Sequence, residues 1–156
     1  MPTEIERKFL VVGSDWRTSD PDRLCQGYLN RDRHRTVRVR IAGAKAYLTI
    51  KGMAIGVTRA EFEYEIPLAD AEALLALRDG PLVEKLRHRV RHAGATWEVD
   101  EFLGENAGLV VAEIELESED QAFERPPWLG REVTGDPRYL NSSLATHPFS
   151  RWTAQP

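Results

Sequence analysis

Only one cysteine, Cys25, stands among the 156 residues, which excludes an intrachain disulfide and any metal site built on several thiolates. No apolar N-terminal run resembles a signal peptide, and no apolar stretch is long enough to span a membrane as a helix. With the lone thiol, these absences make a reducing cytoplasm the expected home. A basic excess is missing too. Lys and Arg number 21 against 25 Asp and Glu, a formal net charge of −4, so no general positive field draws the chain to nucleic acid. Internal repeats and low-complexity tracts are likewise absent. What is present is a chain of single-domain length, with 29% charged residues, able to bury roughly two-thirds of its unfolded surface in one core.

Alternating polarity dominates the pattern. Runs of period two cover Glu4 to Val11, Arg23 to Asn30, Thr36 to Ile41, Lys45 to Lys51, Thr58 to Ile66, Val83 to His92, Thr96 to Phe102 and Leu109 to Glu117. Each is bounded by turn residues such as Ala42-Gly43, Gly56, Gly94 or Gly104-Glu105-Asn106, and the pattern predicts eight strands. Short links favour antiparallel neighbours, and eight such strands suffice to close a small barrel. One stretch breaks the period: Leu68, Ala71, Leu74, Leu75 and Leu77 recur at helical spacing up to Arg78, before Gly80-Pro81, which predicts one outer helix. Asp136 and Pro137 are placed to start a second over Arg138 to Thr146. The expected fold is therefore mainly β within the α+β class, with a strand core over 3–117 and a C-terminal helical cap over 118–156 that closes one barrel end.

The charges sort by strand. Glu4, Glu6 and Lys8 share one face of the first strand, opposite Ile5 and Phe9. Arg38 and Arg40 share another, Lys51 continues that basic character, and Lys85, Arg87, Arg89 and Arg91 follow at intervals of two. Glu61, Glu63 and Glu65, then Glu98 and Asp100, then Glu113, Glu115 and Glu117 form acidic faces. Like charges two apart on one face repel unless neighbouring strands or a bound ion compensate. Two arrangements satisfy this pattern: an open sandwich with an ion-paired outer face, or a barrel whose charged faces point inward. Inward charges cannot stay in a dry core, at several kcal/mol of desolvation per ion. The second arrangement is thus a wet channel suited to a polyanion accompanied by divalent cations, with carboxylates toward the metal and Arg and Lys toward phosphate oxygens.

The ordered set Glu-Ile-Glu-Arg-Lys-Phe, Arg-Val-Arg, Leu-Thr-Ile-Lys-Gly, Glu-x-Glu, Glu-Lys-x-Arg, Trp-Glu-Val-Asp-x-Phe and Glu-x-Glu-x-Glu over residues 3 to 117 resembles the triphosphate tunnel metalloenzymes, the CYTH superfamily. A weaker likeness to its bacterial short-chain branch continues through Trp128 to Thr134 and Tyr139 to Ala145. The resemblance implies an eight-stranded antiparallel tunnel that takes a linear triphosphate with Mg²⁺ or Mn²⁺. By position it makes Lys8, Arg38, Arg40, Lys51, Lys85 and Arg87 phosphate ligands. It makes Glu4, Glu6, Glu63, Asp100, Glu115 and Glu117 ligands for metal or water, with Glu61 beside them; Arg89, Arg91, Glu65 and Glu98 are secondary candidates. The family includes inorganic and thiamine triphosphatases, class IV adenylate cyclases and polyphosphate-handling domains, so fold does not choose the reaction.

Three features favour inorganic triphosphate hydrolysis: a short chain, a complete acidic set, and no visible purine or thiazolium pocket. Thiamine or nucleoside triphosphatase, cyclase and non-catalytic polyphosphate-binding alternatives stay open. The partner is a small-molecule triphosphate, with neither nucleic acid nor membrane expected and a homodimer left open. Lys8 and Tyr28 are the candidates for proton exchange with water or leaving group, each with an expected lowered pKa. The competing and favoured reading has Tyr28 only hydrogen-bond a phosphate or a neighbouring strand. The four Trp residues read as core.

Overall fold

The computed structural model describes residues 2–153; the last three residues of the expected cap lie outside them. The strands are β1 (Thr3–Val11), β2 (Asp22–Asn30), β3 (Arg35–Ala42), β4 (Lys45–Gly52), β5 (Thr58–Ile66), β6 (Val83–His92), β7 (Ala95–Phe102) and β8 (Val110–Glu115). They pair in the order β5-β4-β3-β2-β6-β7-β8-β1, and β1 pairs again with β5, so the ring closes with every pair antiparallel. Closure leaves no free edge around the ring. A ninth strand, β9 (Leu129–Glu132), was not legible in the pattern. It joins β1 through Phe9 and Val11, beyond the stretch that β5 occupies.

Apolar side chains face outward because two coverings bury them. Helix α1 (Leu68–Leu75) starts straight after Pro67 and packs Ala71 and Leu75 against Val39 and Ala46. Gly27 of β2 permits that contact, since a Cβ there would lie 2.9 Å from a methyl of Leu75. The helix ends earlier than Arg78. The amides of Leu77 and Arg78 bond the carbonyls of Leu74 and Leu75, three residues back, so the last turn tightens before Gly80. On the opposite side, Phe9, Trp97, Val99 and Ile114 pack beneath Trp16, Trp128 and Phe123, and edge-on ring contacts link Trp97 to Phe9 and Trp128. All four Trp side chains are buried.

Inside, the barrel is asymmetric. At one end Tyr28, Val83, Phe102 and Val111 meet Tyr139, Leu144, Phe149 and Trp152 of the C-terminal segment in one apolar cluster, so that segment plugs the ring. The expected helix over Arg138 to Thr146 is in fact two short turns. Asp136 caps the amide of Arg138 over a tight turn at Pro137–Tyr139, Leu140 is extended, and α2 spans Asn141–Leu144. The break leaves both Tyr139 and Leu144 buried in the plug. The rest of the interior is polar.

Candidate active site

A cavity of about 330 Å³ occupies that polar interior, within the size range of small-ligand sites. Its two sides differ in sign. Alternation along β2, β3 and β6 directs Tyr28, Arg38, Arg40, Lys85, Arg87 and Arg89 into it, whereas β1 and β8 direct Glu6, Glu113 and Glu115. Among the described residues, Arg38 has one long contact to a carboxylate and Arg40 has no ion pair. Arg38 donates to Thr49 Oγ1 at 3.3 Å, its Nη2 lies 3.7 Å from Glu63, and its buried Nε has no acceptor among the described residues. Arg40 donates Nε to Gln26 Oε1 at 3.0 Å. Burial, then the like charges of Arg38 and Arg87, pull its guanidinium down to about 9. An anion is what such a wall lacks.

Other cations are already paired. Arg87 grips Asp100 with Nε at 2.8 Å and Nη2 at 2.9 Å, and Lys85 Nζ lies 2.7 Å from the same carboxylate. Burial works to raise the Asp100 carboxyl, but Arg87 and Lys85 hold it well below the usual range. Lys51 and Arg59 converge on Glu4 Oε1 at 2.8 and 2.9 Å, and against the effect of burial they bring Glu4 to about 2.

The β1–β8 side behaves oppositely. Glu6 and Glu115 are directly paired across the ladder, as are Lys8 and Glu113. Burial and then Glu113 push the Glu6 carboxyl up to about 7. Burial, Glu4 and Glu98 raise Glu115. The expected lowering of Lys8 is corrected: its Nζ sits 4.0 Å from Glu6 and 3.8 Å from Glu113, and these carboxylates raise it despite burial. Glu6, Glu113 and Glu115 are oxygen donors suited to a hard divalent cation, and their mutual repulsion is what such a cation relieves. Among the described residues no three acidic or histidine side chains converge into a ready-made cluster. Mg²⁺ characteristically takes one or two carboxylates and completes its shell with phosphate oxygens and water, so the donor set fits a metal that arrives with its phosphate.

A second cavity of about 250 Å³ joins the first at Glu4, Glu6 and Lys8. Met53, Ala54, Val57, Pro137 and Leu140 give it partly apolar walls, with Arg33 and Asp136 also lining it. No signal in the sequence marks this vestibule, because its walls come from several segments far apart in the chain.

Residues 2–147 match the CYTH domain. The chain belongs to the CYTH family. Among its relatives, the inorganic triphosphatase of Acetivibrio thermocellus is 51% identical over 154 residues, covering 97% of this chain and 99% of that one. The inorganic triphosphatase of Nitrosomonas europaea is 40% identical, covering 92% and 97%. The crystal structure of an inorganic triphosphatase superposes with a TM-score of 0.66 at 38% identity, covering 93% and 95%. The closed eight-stranded CYTH barrel is thus the fold, and the open-sandwich alternative falls. No helix among the described residues is long and apolar enough to cross a membrane.

Within this CYTH barrel, Lys8, Tyr28, Arg38, Arg40, Lys51, Lys85, Arg87, Glu4, Glu6, Glu61, Glu63 and Glu115 all line the main cavity, as do Arg89 and Glu98. Asp100 lies behind the lining, buried under Lys85 and Arg87. Glu117 does not line it: β8 ends at Glu115, and the Leu116 amide bonds the Ile5 carbonyl as the chain leaves the ring. Arg91 and Glu65 are exposed and also lie outside the lining. The lining residues that went unassigned include Glu113, Arg59 and Asn141. Glu113 has the parity of Glu115 and Arg59 that of Glu61, so the same alternation points to both. Asn141 carried no comparable signal.

Proposed function

We propose that this chain hydrolyses inorganic triphosphate to pyrophosphate and phosphate, with Mg²⁺ or Mn²⁺ as the metal. The observation that carries the reading is one cavity with a cationic wall short of anions facing an acidic wall short of cations. Arg38 and Arg40 bind non-bridging phosphate oxygens, Arg38 through its unpartnered Nε, and Lys51, Lys85 and Arg87 complete the basic wall. Glu6, Glu113 and Glu115 hold the metal, with Glu61 and Glu63 at the rim. Glu4 and Asp100 act as counter-ions that fix Lys51, Arg59, Lys85 and Arg87, rather than as metal ligands. A bound cation supplies charge neutralisation on the phosphoryl group and activation of the attacking water.

The reaction breaks one anhydride P–O bond: water oxygen adds to the terminal phosphorus, and the bridging oxygen leaves on pyrophosphate. Lys8, kept protonated by Glu113 and Glu6, stabilises or protonates that oxygen, a role as acid rather than base. Tyr28, paired with Arg38 across the β2–β3 ladder, orients a phosphate oxygen or relays a proton. Phosphate release from tripolyphosphate with Mg²⁺ or Mn²⁺, abolished by a chelator, is the test; no release with either ion rejects the proposal. The vestibule favours a second reading, in which a triphosphate carrying an organic group places that group between Met53, Val57 and Pro137. No aromatic ring stands among its described lining residues to stack on a base, so this reading ranks second.

A further inference from the structure

Asn141 opens α2 in the C-terminal plug, and its side chain lines the main cavity. Its amide oxygen accepts two hydrogen bonds, from Lys85 Nζ at 2.7 Å and from Gln26 Nε2 at 3.0 Å. A guanidinium only donates, so the Gln26 oxygen faces Arg40, the Gln26 amide nitrogen faces Asn141, and the Asn141 atom shared with Lys85 is the oxygen. Gln26 is fully buried, and its own oxygen accepts from Arg40 Nε at 3.0 Å. One side chain of the plug therefore reaches two cations of the basic wall, Lys85 directly and Arg40 through Gln26.

Lys85 is faced by Asp100, Arg87, Arg40 and Glu113, and Asn141 contributes the neutral acceptor of its set. That neutrality matters. A carboxylate in its place would orient Lys85 equally well but would cancel charge that a phosphate needs. Asn141 is tied to the plug through Leu144 and Ala145, which pack with Val83, two residues before Lys85.

We propose that Asn141 is a positioning residue through which the C-terminal plug aims Lys85 and Arg40 at the bound phosphate chain. The role rests on the triphosphatase reading; the hydrogen-bonded link itself does not. Two variants of similar branching test it, Asn141→Leu, which removes the acceptor, and Asn141→Asp, which keeps it but adds charge. Loss of one hydrogen bond to a charged donor predicts that Asn141→Leu weakens tripolyphosphate binding, and raises KM, about tenfold, with a smaller change in kcat. Lys85→Met should remove the Lys85 share of that difference, so that Asn141→Leu added to it costs clearly less than about tenfold, the remainder being the share carried through Gln26 to Arg40.

The link is read without substrate from solvent exchange of the Lys85 ammonium protons by NMR, which should accelerate in Asn141→Leu and stay slow in Asn141→Asp. Should Asn141→Leu fail to fold, Asn141→Asp carries the test through weakened binding with an unchanged ammonium signal. Unchanged exchange in Asn141→Leu, or full additivity with Lys85→Met, overturns the proposal, as does wild-type affinity in Asn141→Asp. A wild-type protein that ignores tripolyphosphate but shows the exchange difference rejects the triphosphatase reading and keeps the link.

Discussion

Glu6 stands directly opposite Glu115 across the β1–β8 ladder, two like charges at one register position on the wall of a buried cavity. Burial and Glu113 push the Glu6 carboxyl from 4.5 to about 7. The folded chain thus holds a proton that the unfolded chain releases. The stability this contributes is fully present below pH 4.5 and is lost as pH rises through 7. At about 1.4 kcal/mol per unit, the metal-free protein forgoes roughly 3 kcal/mol at pH 8.

Glu6→Gln removes that penalty. Without metal, the variant should melt at a higher temperature than wild type at pH 8, and the two curves should converge near pH 4. Mg²⁺ should stabilise wild type more than the variant. A Glu6→Gln protein less stable than wild type at pH 8 would show that Glu6 is held by cations and is no metal ligand. The same substitution, or Glu115→Ala, should abolish metal-dependent hydrolysis.

Asp100 predicts the opposite sign. Lys85 and Arg87 both depend on it, and its depressed carboxyl contributes stability that is present above the ordinary Asp value and lost as pH falls. Asp100→Asn leaves buried cations short of charge and should destabilise the fold by about 3–5 kcal/mol. Urea unfolding at pH 7 measures it; a loss under about 1 kcal/mol would mean that water compensates both cations.

That two carboxylates on one charged lining differ in sign explains how far the sequence carries. Alternation alone places Glu4, Glu6 and Asp100 on inward or cavity-side faces, because the period-two signal is local. It cannot say which strand sits across the ring. Glu4 meets Lys51 and Arg59 whereas Glu6 meets Glu115, and that difference comes from closure of β1 onto β5 at one end and β8 at the other. Lys8 was misjudged for the same reason, its neighbours being carboxylates rather than cations. Asn141 touches residues 56 and 115 positions away, beyond the reach of any local pattern. The C-terminal helix failed because burial of Tyr139 and Leu144 in the plug outweighed a sound capping signal at Asp136.

Arg38, with Glu63 at 3.7 Å, and Arg40, with no ion pair among the described residues, are the wall's least neutralised guanidiniums. Lysine at either position keeps a charge but loses the planar fork, and at position 40 burial disfavours an ammonium further. Arg38→Lys and Arg40→Lys should each lower kcat/KM for tripolyphosphate by about tenfold or more, roughly one 1.4 kcal/mol step. Unchanged steady-state kinetics in both would mean that neither guanidinium touches phosphate.

On the triphosphatase reading, the cavity recognises phosphate oxygens and little else. Its walls are largely charged strand faces, with Tyr28 and Tyr47 as the aromatic rings among them, and the adjoining vestibule offers no described aromatic surface to a nucleobase. Tripolyphosphate also presents one more ionisable terminal phosphate than a nucleoside triphosphate. The most direct measurement compares kcat/KM for tripolyphosphate and ATP at matched free Mg²⁺ or Mn²⁺. Tripolyphosphate should be preferred by at least about tenfold, or about 1.4 kcal/mol in the transition state; equal or higher efficiency on ATP, or cyclic AMP as the main product, would contradict recognition of phosphate alone.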